Sequence, residues 1–379
     1  MREVVIAGVG MHRFGRFPEN DFVDLATHAV IEALKDASVE WKDVQSVWGS
    51  HSYGQTGATN KIIYQLGLTG IPVFNVELGC SGGSAVVGMA YQAIASGFVD
   101  IACAVGFEKM AKGILPADEF PEWMTKTGIA VYPAMNAWAA QTYMREYGLT
   151  KEHLAKVAIK SHNNAALNPY AHYQDCAGWT IEQVLNARMI ADPLTLTQIA
   201  PVSEGAAAAI LCTREVADKL GVSKPVSIAA YSQKSGIFVK PFNMFDWIPI
   251  ASKATQAAAK EAYEQAGCGP DDLDIVQCHD AYTIAEIIDY ENLGLCAQGE
   301  GWQLVEEGAT ELTGRIPVNT DGGMMSRGNA LGACALACVC ETVWQLRGEA
   351  GKRQIEDPKI GLTVQLGIGP NLNILILKK

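Results

Sequence analysis

The sequence lacks any apolar run long enough to cross a membrane. A transmembrane helix needs about 20 consecutive, mainly apolar residues, and no stretch of this 379-residue chain provides them. The N-terminal segment MREVVIAGVG has the pattern of a β-strand, not the basic and apolar regions of a secretion signal, and the C-terminal ILILKK matches no common address signal. We therefore expect a cytoplasmic protein without a membrane span.

Basic charge is also scarce. Lys and Arg number 29 against 41 Asp and Glu, which gives a net charge of −12. A nucleic-acid-binding surface needs a basic face, so this class of partner is excluded. One motif is missing as well, because GVGMHRFG near the N-terminus is not G-x-G-x-x-G. Its absence argues against a dinucleotide site.

Paired cysteine spacings are absent from the sequence. The ten cysteines are scattered, which in a large chain without a signal peptide indicates reduced thiols and not a disulfide framework. Three of them, Cys334, Cys338 and Cys340, fall in a predicted helix of small residues, where only the first two share a face. Buried packing explains them better than metal binding, and we predict no metal site in this chain.

Strands and helices alternate along the chain, which predicts an α/β protein. The segments ALKDASVEWKDVQSV and AYEQAGCGPDDLDIV repeat one order of helix, turn, acidic pair and strand. We therefore predict two duplicated α/β halves, residues 1–225 and 226–379, whose two sheets pack with helices between them in five layers, α-β-α-β-α. Residues 108–200 break the alternation and are rich in Met, Trp, Tyr and proline, so they are interpreted as a cap insertion that shapes a cleft.

The segment NVELGCSGGSAVVGMAYQAIASG is predicted to form a strand, a tight turn and a buried helix, with Cys80 at the helix N-terminus. Unpaired N–H groups and the positive end of the helix dipole stabilise a thiolate there, and the thiolate is the nucleophilic form of cysteine. The alternative is that Cys80 is a small buried residue, as most free cysteines are.

Three further turns should meet Cys80 if the halves are related by a pseudo-twofold axis. His279 follows a predicted strand and could act as a general base or a hydrogen-bond donor near neutral pH. Asn329 lies in the glycine-rich turn GGMMSRGNA before a helix, and Gly367 lies in QLGIGP between the last two strands. A structural imidazole and simple packing turns remain the alternatives.

Together these segments resemble the thiolase superfamily over essentially the whole chain, and most of all the sterol-carrier-protein-type thiolases with their bacterial and archaeal relatives. The resemblance implies the thiolase fold and a covalent reaction on coenzyme A thioesters, in which Cys80 attacks a β-ketoacyl-CoA and holds the acyl group as a thioester. It further implies one oxyanion site at His279 and Asn329 and another at the N–H groups of Cys80 and Gly367. The matching stretches, in family order, are VVIAGVGMHRFGR, VELGCSGGSAVVGMAYQAI, PVSEGAAAAILC, HDAYTIAEIIDYENLGLC, NTDGGMMSRGNALGA and LGIGPNLNILIL.

The chain departs from the family pattern at three positions. Asn329 stands where most thiolases have a histidine that activates the nucleophile, and an asparagine can donate a hydrogen bond but not take up a proton. Gln365 stands at the position of the usual second catalytic cysteine, and Ala281 at the position where sterol-carrier-type members have theirs. The proton donor for the enolate is therefore open among Cys278, Cys296 and Tyr282.

These departures favour a site altered for a bulky, aromatic β-ketoacyl-CoA such as benzoylsuccinyl-CoA. The expected substrates are acyl-CoA and, as co-substrate, coenzyme A, while the chain itself binds no cofactor. The resemblance also implies a homodimer and a small partner subunit with a zinc ribbon and an OB-fold. A retro-aldol lyase acting on a β-hydroxyacyl-CoA and a non-catalytic acyl-CoA-binding subunit are the alternatives. The residues assigned to substrate or coenzyme A binding are Ser203, Gly205, Gly328 and Met135.

Overall fold

The structure is a computed structural model that describes residues 2–111, 113, 122–128, 130–239 and 247–379. In the first half the strands and helices are β1 (Val4–Gly15), α1 (Phe22–Ala37), β2 (Ser46–Ser50), α2 (Ala58–Leu66), β3 (Val73–Val76), α3 (Gly82–Ser96), β4 (Ile101–Glu108), α4 (Glu122–Lys126), α5 (Tyr132–Tyr147), α6 (Lys151–Ala165), α7 (Ile181–Leu185), β5 (Met189–Ala191), β6 (Leu194–Thr195), β7 (Glu204–Thr213) and α8 (Arg214–Leu220).

The second half repeats the pattern with fewer elements. These are β8 (Val226–Lys234), α9 (Trp247–Ala266), β9 (Ile275–Gln277), α10 (Thr283–Asn292), α11 (Gly301–Glu306), α12 (Gly323–Ser326), α13 (Leu331–Arg347), β10 (Ile360–Leu366) and β11 (Leu372–Lys378).

One nine-stranded sheet runs through both halves, in the order β3-β2-β4-β7-β1-β8-β11-β10-β9. Counted outward from the β1–β8 contact, the strands of the second half follow the same order as the matching strands of the first half. A parallel bridge between Val276 and Val318 adds, beside β9, the position that matches β3. Each half also combines parallel and antiparallel pairs in the same sequence, which confirms the predicted duplication.

The sequence analysis expected two separate sheets, whereas the structure joins them through β1 and β8. Two residue pairs, Val5 with Ser227 and Ile6 with Val226, make this antiparallel connection. Both strands would otherwise be sheet edges with unpaired N–H and C=O groups in the protein interior, so pairing them satisfies those groups.

The helices form three layers around the strands, as the predicted five-layered arrangement requires. Helices α3 and α13 share one core cluster with strands of both halves, while α1 packs in a second cluster and α9 and α10 in a third. The two central helices approach closely at Gly83, where a Cβ would lie only 2.5 Å from the backbone nitrogen of Leu336. Glycine at this position allows the contact.

Most predicted elements are present with shifted ends. The N-terminal segment MREVVIAGVG, which has the pattern of a strand, contains the start of β1, and β1 extends beyond it to Gly15, because its second part pairs with β7 as far as Glu204. Part of the predicted cap insertion, namely residues 112, 114–121 and 129, lies outside the described residues. The boundary between the halves at residues 225 and 226 and the limits of the cap stay predictions.

Candidate active site

Cys80 lies in a short 3-10 turn, Gly79–Ser81, that leads directly into α3. Gly79 makes this turn possible, because its φ of +57° lies in the left-handed region and a Cβ there would be 2.9 Å from the backbone nitrogen of Ile368. The half-buried Cys80 is thus held at the N-terminus of a 15-residue helix, as the sequence predicted. The helix dipole favours negative charge at that end.

Asn329 contacts the sulfur of Cys80. Its side-chain oxygen lies 3.8 Å from the Cys80 Sγ, and the residue is almost completely buried. Its backbone N–H donates to the Pro201 carbonyl at 3.3 Å, and its carbonyl accepts from the Ser203 N–H at 3.0 Å. The segment before β7 therefore fixes the Asn329 turn on both sides.

Glu108 secures the same turn from the end of β4. Its buried carboxyl group accepts hydrogen bonds from the backbone N–H groups of Ser52, Tyr53 and Gly332, at 2.8, 3.1 and 3.2 Å. Burial raises the pKa of Glu108 to about 7, and the three backbone donors oppose that rise. One side chain therefore connects the loop after β2 with the start of α13.

His279 follows β9 and carries a neutral imidazole at physiological pH. Burial lowers the pKa of this ring to about 4, and a contact with the Gln365 side chain raises it only in part. A neutral imidazole still presents one N–H donor, which suits it to hold a developing oxyanion. A group with so low a pKa is a weak base near neutral pH, so the burial of the ring favours the donor role over the role of base for Cys80.

Gly367 lies against the turn that carries Cys80. A Cβ at this position would be 2.0 Å from the Leu78 carbonyl oxygen and 2.4 Å from the Ser81 Oγ, so only glycine fits. Its backbone N–H, assigned to an oxyanion site from the sequence, donates to the Asn371 carbonyl at 2.6 Å. Use of this N–H by a substrate would require that hydrogen bond to open.

One cavity brings the predicted catalytic residues together. Cys80, His279, Asn329 and Gly367 all line it, and Tyr282 lines it beside them. The other lining residues come from the loop after β2, from α5 and α9, from α10 and the segment before it, from the start of α13, and from β10 and the turn after it. They are Tyr53, Tyr132, Asn136, Ala251, Ser252, Thr255, Ala281, Ala285, Ile288, Asp289, Asn292, Leu331, Val364, Leu366 and Ile368.

The three predicted proton donors have different positions. Tyr282 and Cys80 pack against the same small hydrophobic cluster, and burial together with the Cys80 charge raises the pKa of the Tyr282 hydroxyl well above the usual range. Cys278 is fully buried with its sulfur 3.4 Å from the Asn319 Nδ2, and burial raises the pKa of its thiol. Burial also raises the pKa of Cys296, to about 12. Neither cysteine is among the residues that line the cavity.

The residues assigned to substrate or coenzyme A binding are not among those that line the cavity. Ser203 is fully buried and its Oγ pairs with the His172 Nδ1 at 2.8 Å, while a Cβ at Gly328 would be 2.6 Å from that oxygen. Gly205 is buried on β7 against the ring of Phe14, and Met135 is half-buried on α5 next to the lining residue Asn136. None of the four lines the cavity, and their role stays a prediction.

Three residues near the site were not among the predicted site residues. Asp289 lines the cavity, Gln365 lies fully buried beside His279 and donates to the Cys338 Sγ at 3.3 Å, and the thiol of Cys334 donates to the Cys80 carbonyl at 3.3 Å. Helical spacing could have revealed the first. Ala285, Asp289 and Asn292 are spaced four and then three residues apart along α10. They therefore lie on one face of the helix that follows His279 in the chain.

The described residues contain neither a candidate metal site nor a candidate membrane span. In the part of the chain that the structure describes, no group of three or more His, Cys, Asp or Glu side chains could hold a metal ion. Among the same residues, no helix has both the length and the apolar character that crossing a bilayer requires.

Two family models match the chain in succession. The model "Thiolase, N-terminal domain" matches residues 4–215, and the model "Thiolase C-terminal domain-like" matches residues 238–379. Together they cover most of the chain, in the order that the duplicated fold requires.

Several curated proteins are similar over nearly the full length. The acetyl-CoA acetyltransferase of Methanothermobacter thermautotrophicus is 39% identical over 378 residues, 97% of each chain. Benzoylsuccinyl-CoA thiolase subunit BbsB of Thauera aromatica is 37% identical over 377 residues, 97% of this chain and 95% of the relative. Sterol carrier protein 2 of Homo sapiens is 36% identical over 406 residues, 100% of this chain and 72% of the relative.

Solved structures share the fold. The Ltp2-ChsH2(DUF35) aldolase superposes with a TM-score of 0.87 at 27% identity, covering 99% of this chain and 97% of that one. Human mitochondrial 3-ketoacyl-CoA thiolase gives a TM-score of 0.74 at 17% identity, covering 100% and 99%, which supports the fold alone. With two family models, full-length relatives and a cysteine at the expected helix end, this chain belongs to the thiolase family and is an enzyme of the acyl-CoA C-acyltransferase class.

Proposed function

We propose that the chain is a degradative thiolase that cleaves a bulky β-ketoacyl-CoA with an aromatic acyl group, such as benzoylsuccinyl-CoA. Coenzyme A would be the co-substrate, and an acyl-Cys80 thioester the intermediate. The observation that carries this proposal is the single cavity lined by Cys80, His279 and Asn329, with the thiol at the N-terminus of α3. A nucleophile and oxyanion donors on one cavity are what acyl transfer needs.

The residues divide the chemistry between them. The Cys80 sulfur attacks the ketone carbon, and the carbonyl oxygen gains negative charge as the new bond forms. The neutral His279 ring and the Asn329 amide supply N–H donors, which stabilise such an oxyanion. Breaking the carbon–carbon bond then leaves the acyl group on Cys80, and coenzyme A removes it in a second step.

The size of the side chains in the cavity supports a bulky acyl group. On α9 the wall presents Ala251, Ser252 and Thr255, all small, so space is left for the substrate on this side of the cavity. The α10 side presents Ala285 and the larger Ile288, Asp289 and Asn292. Three tyrosines also line the cavity and offer aromatic faces against which a ring can pack: Tyr53, Tyr132 and Tyr282. Of the other aromatic residues in the predicted cap, Trp123 and Trp138 are exposed, and Tyr143 is buried against Glu291.

Relatives support a heteromeric assembly. The Thauera aromatica relative is itself named as a subunit of a thiolase, and the aldolase neighbour is a complex with a DUF35 protein. We therefore propose a homodimer of this chain that associates with a small partner subunit carrying a zinc ribbon and an OB-fold. Purification from the native source with zinc analysis tests this assembly, and a metal-free homodimer with full activity would contradict it.

The experiment for the reaction compares substrates on one enzyme preparation. Benzoylsuccinyl-CoA, benzoylacetyl-CoA and acetoacetyl-CoA are each incubated with the protein, and adducts are mapped by mass spectrometry. We expect a benzoyl group on Cys80 from the first two and faster turnover than with acetoacetyl-CoA. The Cys80→Ala variant should form no adduct, while Cys176→Ala, which changes a half-buried cysteine outside the cavity, should behave as the wild type.

Each contrary outcome has a definite meaning. No mass shift at Cys80 with any of these thioesters would refute the acyl-enzyme route. Faster cleavage of acetoacetyl-CoA would refute the aromatic substrate but not the thiolase reaction. Carbon–carbon cleavage of a β-hydroxyacyl-CoA that survives Cys80→Ala would instead support a retro-aldol lyase, because that reaction needs no acyl-enzyme.

A further inference from the structure

The cavity contains a carboxyl group that the family pattern does not assign. Asp289 lies on α10, and its side chain reaches back to the segment after β9. There its Oδ2 accepts a hydrogen bond from the backbone N–H of His279 at 3.1 Å. It lines the same cavity as Cys80 and Asn329. This carboxyl group is therefore next to the proposed oxyanion donor and open to the space where substrate would react.

The surroundings of Asp289 suit a group that gives up and takes back a proton. Burial raises its pKa to about 7, while the His279 N–H and the Asn292 side chain lower it. The charged group that bears on it is Glu286 of the same helix, which is itself paired with Lys160 of α6. Because the His279 ring is neutral, no cation among these neighbours holds the carboxylate ionised.

The other candidate proton donors are less well placed. Cys278 and Cys296 do not line the cavity, and the raised pKa of the Tyr282 hydroxyl leaves it a poor acid at neutral pH. The two positions that carry a catalytic cysteine in relatives are Gln365 and Ala281 here, and neither side chain titrates. The enolate formed by carbon–carbon cleavage nevertheless needs a proton.

Resting on the proposed thiolase function, we propose that Asp289 is the catalytic acid and base that protonates the α-carbon of the departing acyl-CoA. The Cys80 thiolate adds to the β-carbonyl carbon, the bond between that carbon and the α-carbon breaks, and its electron pair stays on the α-carbon as an enolate. The proton of the Asp289 carboxyl group moves to that carbon, which leaves Asp289 as a carboxylate.

The second step restores the starting state. The Asp289 carboxylate takes the S–H proton of coenzyme A as its sulfur adds to the acyl-Cys80 carbonyl. The bond to Cys80 then breaks, Cys80 leaves as a thiolate, and the acyl-CoA product departs. Over one turnover the proton given to the α-carbon is thus supplied by coenzyme A.

Exchange at the α-carbon tests this role apart from acyl transfer. Acetyl-CoA and succinyl-CoA are incubated with the enzyme in D2O, and deuterium at the α-carbon is measured by mass spectrometry. We expect Asp289→Asn to lower the exchange rate by about 100-fold or more, the usual effect of removing a general acid–base group. An asparagine side chain can still accept the hydrogen bond from the backbone N–H of His279, so the side chain at position 289 should keep its place. The exposed Asp271→Asn is the matched control and should exchange as the wild type.

Two measurements separate proton transfer from a positioning role. Alkylation of Cys80 by iodoacetamide, and acylation of Cys80 by a benzoyl 4-nitrothiophenyl thioester, whose leaving group needs no proton, should stay within about threefold of the wild type in Asp289→Asn. The wild-type exchange rate should rise with pH around neutrality, where the carboxyl group ionises, and Asp289→Glu should recover part of it.

The outcomes also separate this inference from the proposed function. Exchange within about threefold of the wild type in Asp289→Asn would overturn the inference, and so would an equal loss of exchange, alkylation and acylation. Absence of exchange in the wild type would overturn it as well. A wild type that never acylates Cys80, but whose α-hydrogen exchange is lost in Asp289→Asn, would refute the thiolase function and still support the acid–base role of Asp289.

Discussion

The raised pKa of Asp289 predicts that Asp289→Asn stabilises the folded protein, and more so at alkaline pH. When the pKa of a carboxyl group is higher in the folded than in the unfolded protein, the folded protein loses stability as the pH rises, because the unfolded chain releases the proton first. Here the pKa rises from 3.8 to about 7 on folding. At about 1.4 kcal/mol per pKa unit, the ionisable group costs about 1.5 kcal/mol near pH 5 and about 4 kcal/mol near pH 8.

Urea unfolding at these two pH values measures the effect. An asparagine side chain does not ionise, so Asp289→Asn should be stabilised relative to the wild type, by about 2 to 3 kcal/mol more near pH 8 than near pH 5. Asp271→Asn, which changes an exposed carboxyl group, should show no such difference. An equal effect at both pH values, or a loss of stability near pH 8, would refute the reasoning that burial controls this carboxyl group.

Three further substitutions follow from the contacts of the site and its support. His279→Ala should lower turnover by about 100-fold through loss of an oxyanion donor, yet leave iodoacetamide alkylation of Cys80 near neutral pH within about threefold; a large fall in alkylation would show that the ring acts as base. Gly367→Ala should destabilise the protein by about 3 kcal/mol and inactivate it, because its methyl group would overlap the Leu78 carbonyl; thermal unfolding and turnover measure this, and wild-type activity would contradict the requirement for glycine at this position. Lys160→Met should lower the free energy of unfolding in urea by about 3 to 5 kcal/mol, because it leaves Glu286 buried without its partner. Adding Glu286→Gln should recover much of this stability, and no recovery would mean that packing, not charge, controls the loss.

The network around Glu286 shows how the fold supports the site from behind. Its carboxylate pairs with Lys160, and accepts hydrogen bonds from the Tyr290 hydroxyl and, at 2.8 Å, from the Asn319 Nδ2. The Asn319 side chain in turn accepts a hydrogen bond from the Cys278 N–H at 3.0 Å, one residue before His279. A chain of buried polar groups therefore fixes the backbone from which the His279 ring enters the cavity.

Local patterns in the sequence determined the duplicated α/β fold and the position of Cys80, the proposed nucleophile. Strand, glycine turn and small-residue helix around Cys80 are local features, and the structure places that thiol at the helix end as predicted. His279, Asn329 and Gly367, which line one cavity with Cys80, could also be singled out from the sequence, because each lies in a turn directly next to a strand or helix. Their common cavity follows from the pseudo-twofold arrangement of the halves.

Only the tertiary structure decided the pKa values of the groups in the cavity and how the two sheets join. The sequence left the proton donor open among Cys278, Cys296 and Tyr282, and it gave no prominence to Asp289. A pKa depends on burial and on neighbours distant in sequence, so the low value of His279 and the high value of Asp289 cannot be read from residue types. The link between β1 and β8 is equally non-local, since it arises where the halves meet and strand edges must be satisfied.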